Sequence, residues 1–276
     1  MDLVQKVRRG LASFRSIEHT TSRLADTVEK LQTLEELFSG QASFIKKNSP
    51  EIVDVAPEFV TGAMKCVKNT WLPLEEGRFP LWMDEAGNYQ AGLYREVVTY
   101  VKKRGVAVDA GANIGFLSRL MVKDFQTVHA FEPVQLNRAC LARNVQTNNC
   151  IIYPFALGST VGESLIEISP IASGGAQIGG LPENSLVHKA VKRQEKIRIV
   201  SLDSLNLPEL DFLKIDVQGF EYEVLNGAKS LLTRCSPTVL IEIEVEGQQD
   251  KGAVKFLESI GYVVRKRIGK DAILTK

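Results

Sequence analysis

Short apolar segments and longer amphipathic segments alternate along the C-terminal part of this chain. From position 106 onward, apolar runs typical of buried strands are each followed by a stretch with helical spacing. We predict strands near 106–109, 127–132, 151–155, 211–216 and 238–244, and helices near 114–123, 134–147, 220–233 and 249–260. This alternation predicts an α/β fold, a doubly wound and mostly parallel sheet with helices on both faces.

Two later segments depart from this alternation of strands and helices. The stretches 163–168 and 196–200 are predicted as paired extra strands, joined by a Gly- and Ser-rich loop from Ser169 to Glu195. A loop of this length is usually functional or disordered, so it is interpreted either as a wall of the site or as a surface excursion. The final segments, 262–267 and 271–276, predict an antiparallel strand pair that ends the sheet.

The first 39 residues place apolar side chains on the a and d positions of one heptad frame, with misses at Gly10, Thr21 and Glu35. The pattern predicts either amphipathic helices packed on the rest of the chain or a coiled-coil element, and we favour self-association into a homo-oligomer. The apolar positions are Leu3, Val7, Phe14, Ile17, Leu24, Val28, Leu31 and Phe38.

Three regions are therefore predicted: a helical region over 1–56, a prelude of short strands and a helix over 57–104, and a main domain over 105–276. The prelude contains both tryptophans, Trp71 and Trp82. We interpret them as packing residues that border the mouth of the site.

The composition excludes several classes of protein. The 276 residues are 44% hydrophobic with a net charge of +1, which suits a globular core and gives no indication of a nucleic-acid partner. No apolar run approaches the roughly 20 residues that span a bilayer, and no secretory signal is evident. The four cysteines lack metal-site spacing and are expected to be reduced, so a cytoplasmic location is expected.

A strand, a glycine turn and a helix stand together at 106–122. Asp109 ends the strand, and Gly111 and Gly115 frame the turn. A second strand ends at Glu132, about 20 residues later, a spacing that suits a carboxylate bonded to a ribose hydroxyl. The nicotinamide-cofactor pattern G-x-G-x-x-G is absent, with Asn113 where its middle glycine would fall. An ordinary βαβ unit is the alternative, and the two acids favour a ligand site.

A second motif, Leu213 to Glu221, also predicts a strand that runs into a helix, with Asp216 at the junction. Parallel strands end at one edge of an open sheet, where ligands bind. Asp109, Glu132, Asp216 and Glu242 are all predicted at that edge. Ionised groups are seldom buried without partners, so packing alone does not explain four carboxylates there.

In order and spacing, the motifs across residues 105–245 resemble the FkbM methyltransferase family, a class I S-adenosylmethionine (SAM) methyltransferase group. Gln218 departs from it, because the family commonly has Glu there. The resemblance implies a Rossmann-like sheet with an antiparallel last strand. The motifs are Asp109–Gly115, Phe131-Glu-Pro133, Asn144, Phe155–Gly158, Leu202-Asp-Ser-Leu205, Leu213–Gly219 and Val224–Ala228.

The resemblance also implies roles for individual residues. The glycine turn is expected to surround the methionine part of SAM, Glu132 its ribose, and residues 155–157 its adenine. Asp216 is expected near the methionine amine or the acceptor. Glu132→Ala is expected to leave the fold intact. The implied cofactor-binding residues are Asp109, Gly111, Ala112, Asn113, Gly115, Glu132, Pro133, Phe155, Ala156, Leu157 and Asp216.

Methyl transfer to a hydroxyl is assisted by a positioned base. The candidates are His188, Asp216, Glu242 and Glu244, and we favour Asp216 and Glu242. No zinc-type ligand spacing is present, and a divalent metal on the carboxylates stays open.

The predicted function is SAM-dependent O-methyl transfer to a sugar, a glycan or another small hydroxylated acceptor. A nucleic-acid methyltransferase is one alternative, and the neutral charge argues against it. A catalytically silent SAM-binding scaffold is the other. The presence of both acids and both glycines argues against that scaffold.

Overall fold

The computed structural model describes residues 63–169, 172–178, 193–245, 248–249 and 252–276. The predicted helical region 1–56 and His188 lie outside these residues, so self-association remains a prediction. Among the described helices, none is long and apolar enough to cross a membrane. All four cysteines are free thiols.

Fifteen short strands occur in the described residues. They are β1 (Met64–Val67), β2 (Thr70–Pro73), β3 (Val106–Ala110), β4 (Thr127–Phe131), β5 (Cys150–Tyr153), β6 (Phe155–Leu157), β7 (Gly162–Ser169), β8 (Ala172–Ile178), β9 (Arg193–Val200), β10 (Phe212–Ile215), β11 (Thr238–Glu242), β12 (Glu244–Val245), β13 (Gln248–Gln249), β14 (Val263–Ile268) and β15 (Asp271–Thr275).

The described helices flank these strands. They are α1 (Phe79–Trp82), α2 (Ala91–Val97), α3 (Ser118–Asp124), α4 (Gln135–Asn144), α5 (Glu221–Asn226), α6 (Lys229–Cys235) and α7 (Ala253–Ser259), with 3₁₀ turns at Val98–Tyr100 and Leu202–Leu205.

Seven strands form the central sheet, in the order β14-β15-β11-β10-β3-β4-β5. Neighbours from β11 through β5 pair in parallel, whereas β15 is antiparallel to both β11 and β14. The four residues Val106, Ala107, Val108 and Asp109 of β3 are all buried, as expected for a strand covered on both faces. The predicted α/β class and the antiparallel last strand are confirmed.

Two predicted elements are divided in the structure. The strand expected over 151–155 is split at Pro154, after which β6 leaves the central sheet and pairs with β9. Proline has no backbone N–H to donate to a ladder, which favours such a break. The helix expected over 220–233 becomes α5 and α6, because Gly227 lies against the backbone of Gly158. A Cβ at position 227 would be 1.9 Å from the Gly158 carbonyl oxygen.

A second sheet has the order β6-β9-β7-β8. It confirms the two extra strands but corrects the predicted loop from Ser169 to Glu195. Residues 172–178 form β8, antiparallel to β7, and β9 already begins at Arg193. Gly174 and Gly175 weaken strand propensity in this segment, and the cross-strand pairing outweighs that local signal.

The prelude is fastened to the main domain by buried side chains and hydrogen bonds. Its β1–β2 hairpin turns at Lys68 and Asn69, both with positive φ, as a two-residue hairpin requires. Asn144 of α4 bonds the backbone of Trp71 in both directions, at 2.7 and 2.9 Å, and the Ile114 carbonyl at 2.7 Å. Leu72 and Phe79 share one apolar cluster with Ile114 and Phe116. The prelude and the glycine turn therefore share a core.

Candidate functional site

One cavity of about 470 Å³ opens at the carboxyl ends of β3, β4, β10 and β11. This volume lies within the range of pockets for ligands the size of a nucleoside or a drug. Ten of the residues predicted from the sequence line it. They are Asp109, Gly111, Ala112, Asn113, Glu132, Pro133, Ala156, Leu157, Asp216 and Glu242.

Two other predicted residues lie outside the cavity lining. Phe155 is fully buried, with the guanidinium of Arg198 5.9 Å from its ring centroid. Gly115 packs against α4, and a Cβ there would be 2.6 Å from Leu141 Cδ1. Both residues therefore pack behind the residues that line the cavity. His188 lies outside the described residues, as does the side chain of Glu244.

The glycine turn is held between two strand ends. Its first two backbone N–H groups, of Gly111 and Ala112, donate to the Phe131 carbonyl at 3.1 and 2.9 Å. Gly111 has φ +74°, and a Cβ there would be 2.0 Å from the carbonyl oxygen of Asp216. Only glycine combines this backbone conformation with so close an approach. Asn113 also has a positive φ of 51°.

Glu132 joins the glycine turn to the turn before α4. Its two carboxylate oxygens accept the backbone N–H groups of Asn113, at 2.8 Å, and Val134, at 2.9 Å. The residue is only 5% exposed, and burial raises its pKa to about 7 against the opposing effect of these hydrogen bonds. The expectation that Glu132→Ala leaves the fold intact stays a prediction, and the contacts add that the variant should lose stability, since one buried and one part-buried N–H group would lose their acceptor.

Asp109 is fully buried and forms a buried ion pair. Its Oδ1 lies 3.1 Å from Lys214 Nζ, and its Oδ2 accepts the Ser118 hydroxyl at 2.6 Å. Lys214 Nζ also donates to the Gly111 carbonyl at 2.7 Å. Burial alone would lower the pKa of Lys214, but the charges of Asp109 and Asp216 outweigh it and raise that pKa. Asp109 thus holds the turn through Lys214, a partner placed opposite it in the β3–β10 register.

Asp216 and Glu242 form an acid pair bridged by Gln218. The side-chain amide of Gln218 donates to Asp216 Oδ1 at 2.8 Å and to Glu242 Oε2 at 2.9 Å. Burial and the charge of Asp216 raise the pKa of Glu242 well above its ordinary value, so Glu242 holds a proton at neutral pH. Gln218, where the sequence departs from the family motif, therefore donates to both acids, which are also hydrogen-bonded to each other.

Asp271 is a neighbouring acid that the sequence analysis missed. It lies opposite Glu242 in the register of β11 and β15. Burial and the charge of Asp216 raise its pKa to about 6. No local motif marks it, since only the pairing of two strands distant in sequence brings it here.

Four aromatic side chains from the prelude and the glycine-turn region pack together at the cavity. Trp82 stacks on Tyr89 with ring centroids 5.8 Å apart and planes at 25°. Phe79 and Phe116 lie beneath them, 4.9 Å apart. Trp82 is 51% exposed, packs on Phe79 and Tyr89 and lines the cavity, as expected for a packing residue that borders the mouth of the site. Trp71 does pack, with the Arg143 guanidinium 4.6 Å from its ring.

The second sheet supplies an apolar part of the wall. Ile166 of β7 and both Ala176 and Ile178 of β8 line the cavity. Part of the segment predicted as a long loop is therefore a strand that faces the site. The remaining loop residues, 170–171 and 179–192, lie outside the described residues.

The strand order, the glycine turn and a cavity at the carboxyl ends of the strands define a class I methyltransferase fold. A family model described as "Methyltransferase FkbM domain" matches residues 109–266. This chain belongs to the FkbM methyltransferase family. The resemblance inferred from the sequence motifs and the expectation of a methyltransferase domain are confirmed.

Two curated relatives share part of the chain. Methyltransferase sdnD of Sordaria araneosa is 28% identical over 152 residues, which cover 44% of this chain and 59% of that protein. Hexuronic acid methyltransferase AglP of Haloferax volcanii is 30% identical over 167 residues, which cover 60% of this chain and 66% of that protein. The chain thus spans less than two thirds of the length of either relative.

Among solved structures, a methyltransferase FkbM from Methylobacillus flagellatus KT resembles this chain with a TM-score of 0.45 and 16% identity. The alignment covers 80% of this chain and 50% of that one.

Proposed function

We propose that this protein is a SAM-dependent O-methyltransferase that acts on a hydroxyl group of a sugar, a glycan or another small hydroxylated molecule. The observation that carries the proposal is a single cavity that joins the glycine turn and Glu132 to the acid pair Asp216–Glu242. The relative named as a hexuronic acid methyltransferase supports a sugar acceptor.

The residues present fit SAM. The Glu132 carboxylate reaches the cavity wall and keeps lone pairs beyond the two it uses for backbone N–H groups, so it can accept ribose hydroxyls. Pro133, Ala156 and Leu157 offer an apolar surface for adenine. When bound, SAM supplies a methyl group activated by an adjacent positive sulfonium, and the carboxylates of the wall favour that charge.

Asp216 is the group best placed to take the acceptor proton. It lines the cavity, its side chain is 31% exposed, and it lies next to a carboxyl group that already holds a proton. As the acceptor oxygen gains the methyl group, its hydroxyl proton passes to Asp216. The amide of Gln218 and the ammonium of Lys214, 3.8 Å from Asp216, orient the carboxylate for this step.

The proposal is tested with the full chain, SAM labelled on its methyl group, and a panel of mono- and oligosaccharides. We expect labelled sugar products that resist mild alkali, because methyl ethers survive conditions that hydrolyse methyl esters. Alkali-labile product would place the methyl group on a carboxylate instead of a hydroxyl. Transfer to RNA or DNA without transfer to any sugar would overturn the proposal, as would a folded chain that does not bind S-adenosylhomocysteine (SAH).

A further inference from the structure

Arg78 is a cation of the cavity wall, and the buried carboxylate of Glu76 accepts its backbone N–H at 2.8 Å. It precedes α1 in the prelude, and its guanidinium carbon lies 5.6 Å from the centroid of the Trp82 ring. Its Nε atom is buried and has no hydrogen-bond partner. In the described part of the chain, no ion pair includes Arg78. Because the Nε atom has almost no accessible surface, a ligand group would have to bind the terminal nitrogens of the guanidinium.

The two other cations lining the cavity have acidic neighbours. Lys214 is paired with Asp109 at 3.1 Å. Lys270 lies close enough to Glu242 and Asp271 for its charge to lower the pKa of both groups. Arg78 differs from them because its one bond to an acid is through its backbone N–H, which donates to Glu76 at 2.8 Å, whereas its guanidinium lies against the Trp82 ring with no ion pair among the described residues. Its charge is therefore available to a ligand.

The surroundings of Arg78 suit a sugar ring. Trp82 and Tyr89 stack on each other and line the cavity, with Trp82 half-exposed. Flat aromatic faces with polar groups at their edges bind molecules that have one apolar and one polar side, as a pyranose ring does. The wall therefore offers a stacking surface next to a cation.

Tyr89 connects Arg78 with the acid pair. Burial raises the pKa of Tyr89, the charges of Asp216, Asp271 and Glu242 raise it further, and the charge of Arg78 lowers it. The phenol ring thus lies within electrostatic range of both the arginine and the acids. A ligand stacked here would have one edge toward Arg78 and another toward Asp216.

We propose that the acceptor is an anionic sugar, a uronic acid whose carboxylate binds Arg78 while a ring hydroxyl faces Asp216. The guanidinium fork matches a carboxylate with two parallel hydrogen bonds. One unpaired cation balances the single negative charge of a carboxylate. A doubly charged phosphate beside the acid pair would need a second positive charge. This inference rests on the proposed function and adds the charge of its acceptor.

The test uses glycosides that differ only at C6. The full chain is saturated with SAH, and the binding of methyl β-D-glucuronide and methyl β-D-glucoside is compared by calorimetry and saturation-transfer NMR, together with the corresponding galacturonide and galactoside. We expect the uronide of at least one pair to bind about tenfold more tightly or better, as a charge-assisted bidentate contact would provide. Arg78→Gln is expected to reduce this preference to near unity without weakening the neutral sugar.

Three variants separate charge from structure. Among the described residues, Arg78 Nε has no hydrogen-bond partner and the guanidinium has no ion pair, so Arg78→Gln should keep the wild-type melting temperature. Arg267→Gln, at an exposed position on β14, is the matched control and should keep the uronide preference. Trp82→Leu should weaken both members of a pair equally, because both lose the same stacking surface.

The outcomes are distinct. Equal binding of uronide and glucoside, or a preference that survives Arg78→Gln, would overturn the inference. Tighter binding of glucose 6-phosphate would mean that Arg78 binds a phosphate and not a carboxylate. Methylation of neutral sugars at equal rates would leave the proposed function standing without the inference. If no glycoside is methylated although SAH binds, the sugar acceptor of the proposed function fails, and the binding ratio still decides the role of Arg78.

Discussion

The acidic residues at the two ends of the cavity have different bonding partners. At the glycine-turn end, Asp109 and Glu132 are buried and bonded to the protein's own groups, Lys214 and Ser118 for the first and two backbone N–H groups for the second. At the acid-pair end, Asp216 and Glu242 face each other across the amide of Gln218.

This difference separates positioning from chemistry. Acids bonded to the protein's own groups hold a turn in one shape before any ligand arrives, which removes an ordering cost from binding. At the other end, burial and the charge of Asp216 raise the pKa of Glu242, and neighbouring carboxyl groups of this kind are suited to proton transfer. We propose that the first end is a preorganised receptor and that the second is the place of the reaction.

Asp216→Asn should reduce kcat about 100- to 10,000-fold, the usual contribution of a positioned general base. The variant keeps the shape of the side chain and removes its charge. Glu242→Gln should retain most of the activity, since Glu242 already carries a proton at neutral pH and a neutral amide resembles that form. Steady-state kinetics on the same acceptor measure both. Equal losses in the two variants would contradict the assignment of different roles to the two acids.

Gly111→Ala should destabilise the protein by about 2–5 kcal/mol, by combining the cost of a positive φ with overpacking against the Asp216 carbonyl. SAH binding should be lost with the turn. Gly162→Ala is the control, because a Cβ there meets nothing within 4 Å. Urea unfolding and calorimetry measure the two effects. A Gly111→Ala variant as stable as the control would mean that the turn is not tightly held.

Glu132→Ala should lower the free energy of unfolding by about 1–3 kcal/mol, because the N–H groups of Asn113 and Val134 lose their acceptor. SAH affinity should fall in the same variant. Glu132→Gln should lose less stability, since an amide oxygen can still accept one of the two bonds. Glu258→Ala, on the exposed side of α7, is the control. Weaker SAH binding at unchanged stability would show that Glu132 acts on the ligand alone.

The stability of Glu242→Gln relative to wild type should rise with pH. The folded-state pKa of Glu242 is raised above its ordinary value of 4.5. Below that value the group is protonated in both states, and as pH increases only the unfolded chain gains from ionisation, so wild-type stability falls. The variant has no such loss. Melting temperatures from pH 4 to 9 check this, and a constant difference across the range would exclude a raised pKa.

Much of the cavity was predictable because its chemistry follows local sequence. The strand that ends at Asp109, the glycines after it and the strand that ends at Glu132 form a continuous unit, and parallel strands bring their carboxyl ends to one edge. Asp216 follows from the same rule. The neighbours of these acids were harder to predict from the sequence. Lys214 lies opposite Asp109, and Asp271 opposite Glu242, only through the pairing of strands that are distant in sequence.

The prelude shows the limit of local patterns more clearly. The segment is predicted to form short strands and a helix, and β1 and β2 pair as a hairpin. Nothing in the segment indicates that Trp82 turns toward the cavity while Trp71 packs on Arg143. Contacts from α4 and the glycine turn make that choice, and they come from residues more than 25 positions away.

The alternation of strands and helices, the glycine turn and the family follow from residues close together along the chain. Which acids have a charged partner, which two acids share one environment, and that the Arg78 guanidinium has no ion pair among the described residues are properties of the tertiary structure. Burial and the distance between charges control those properties. Both arise only when strands and helices distant in sequence pack around one cavity.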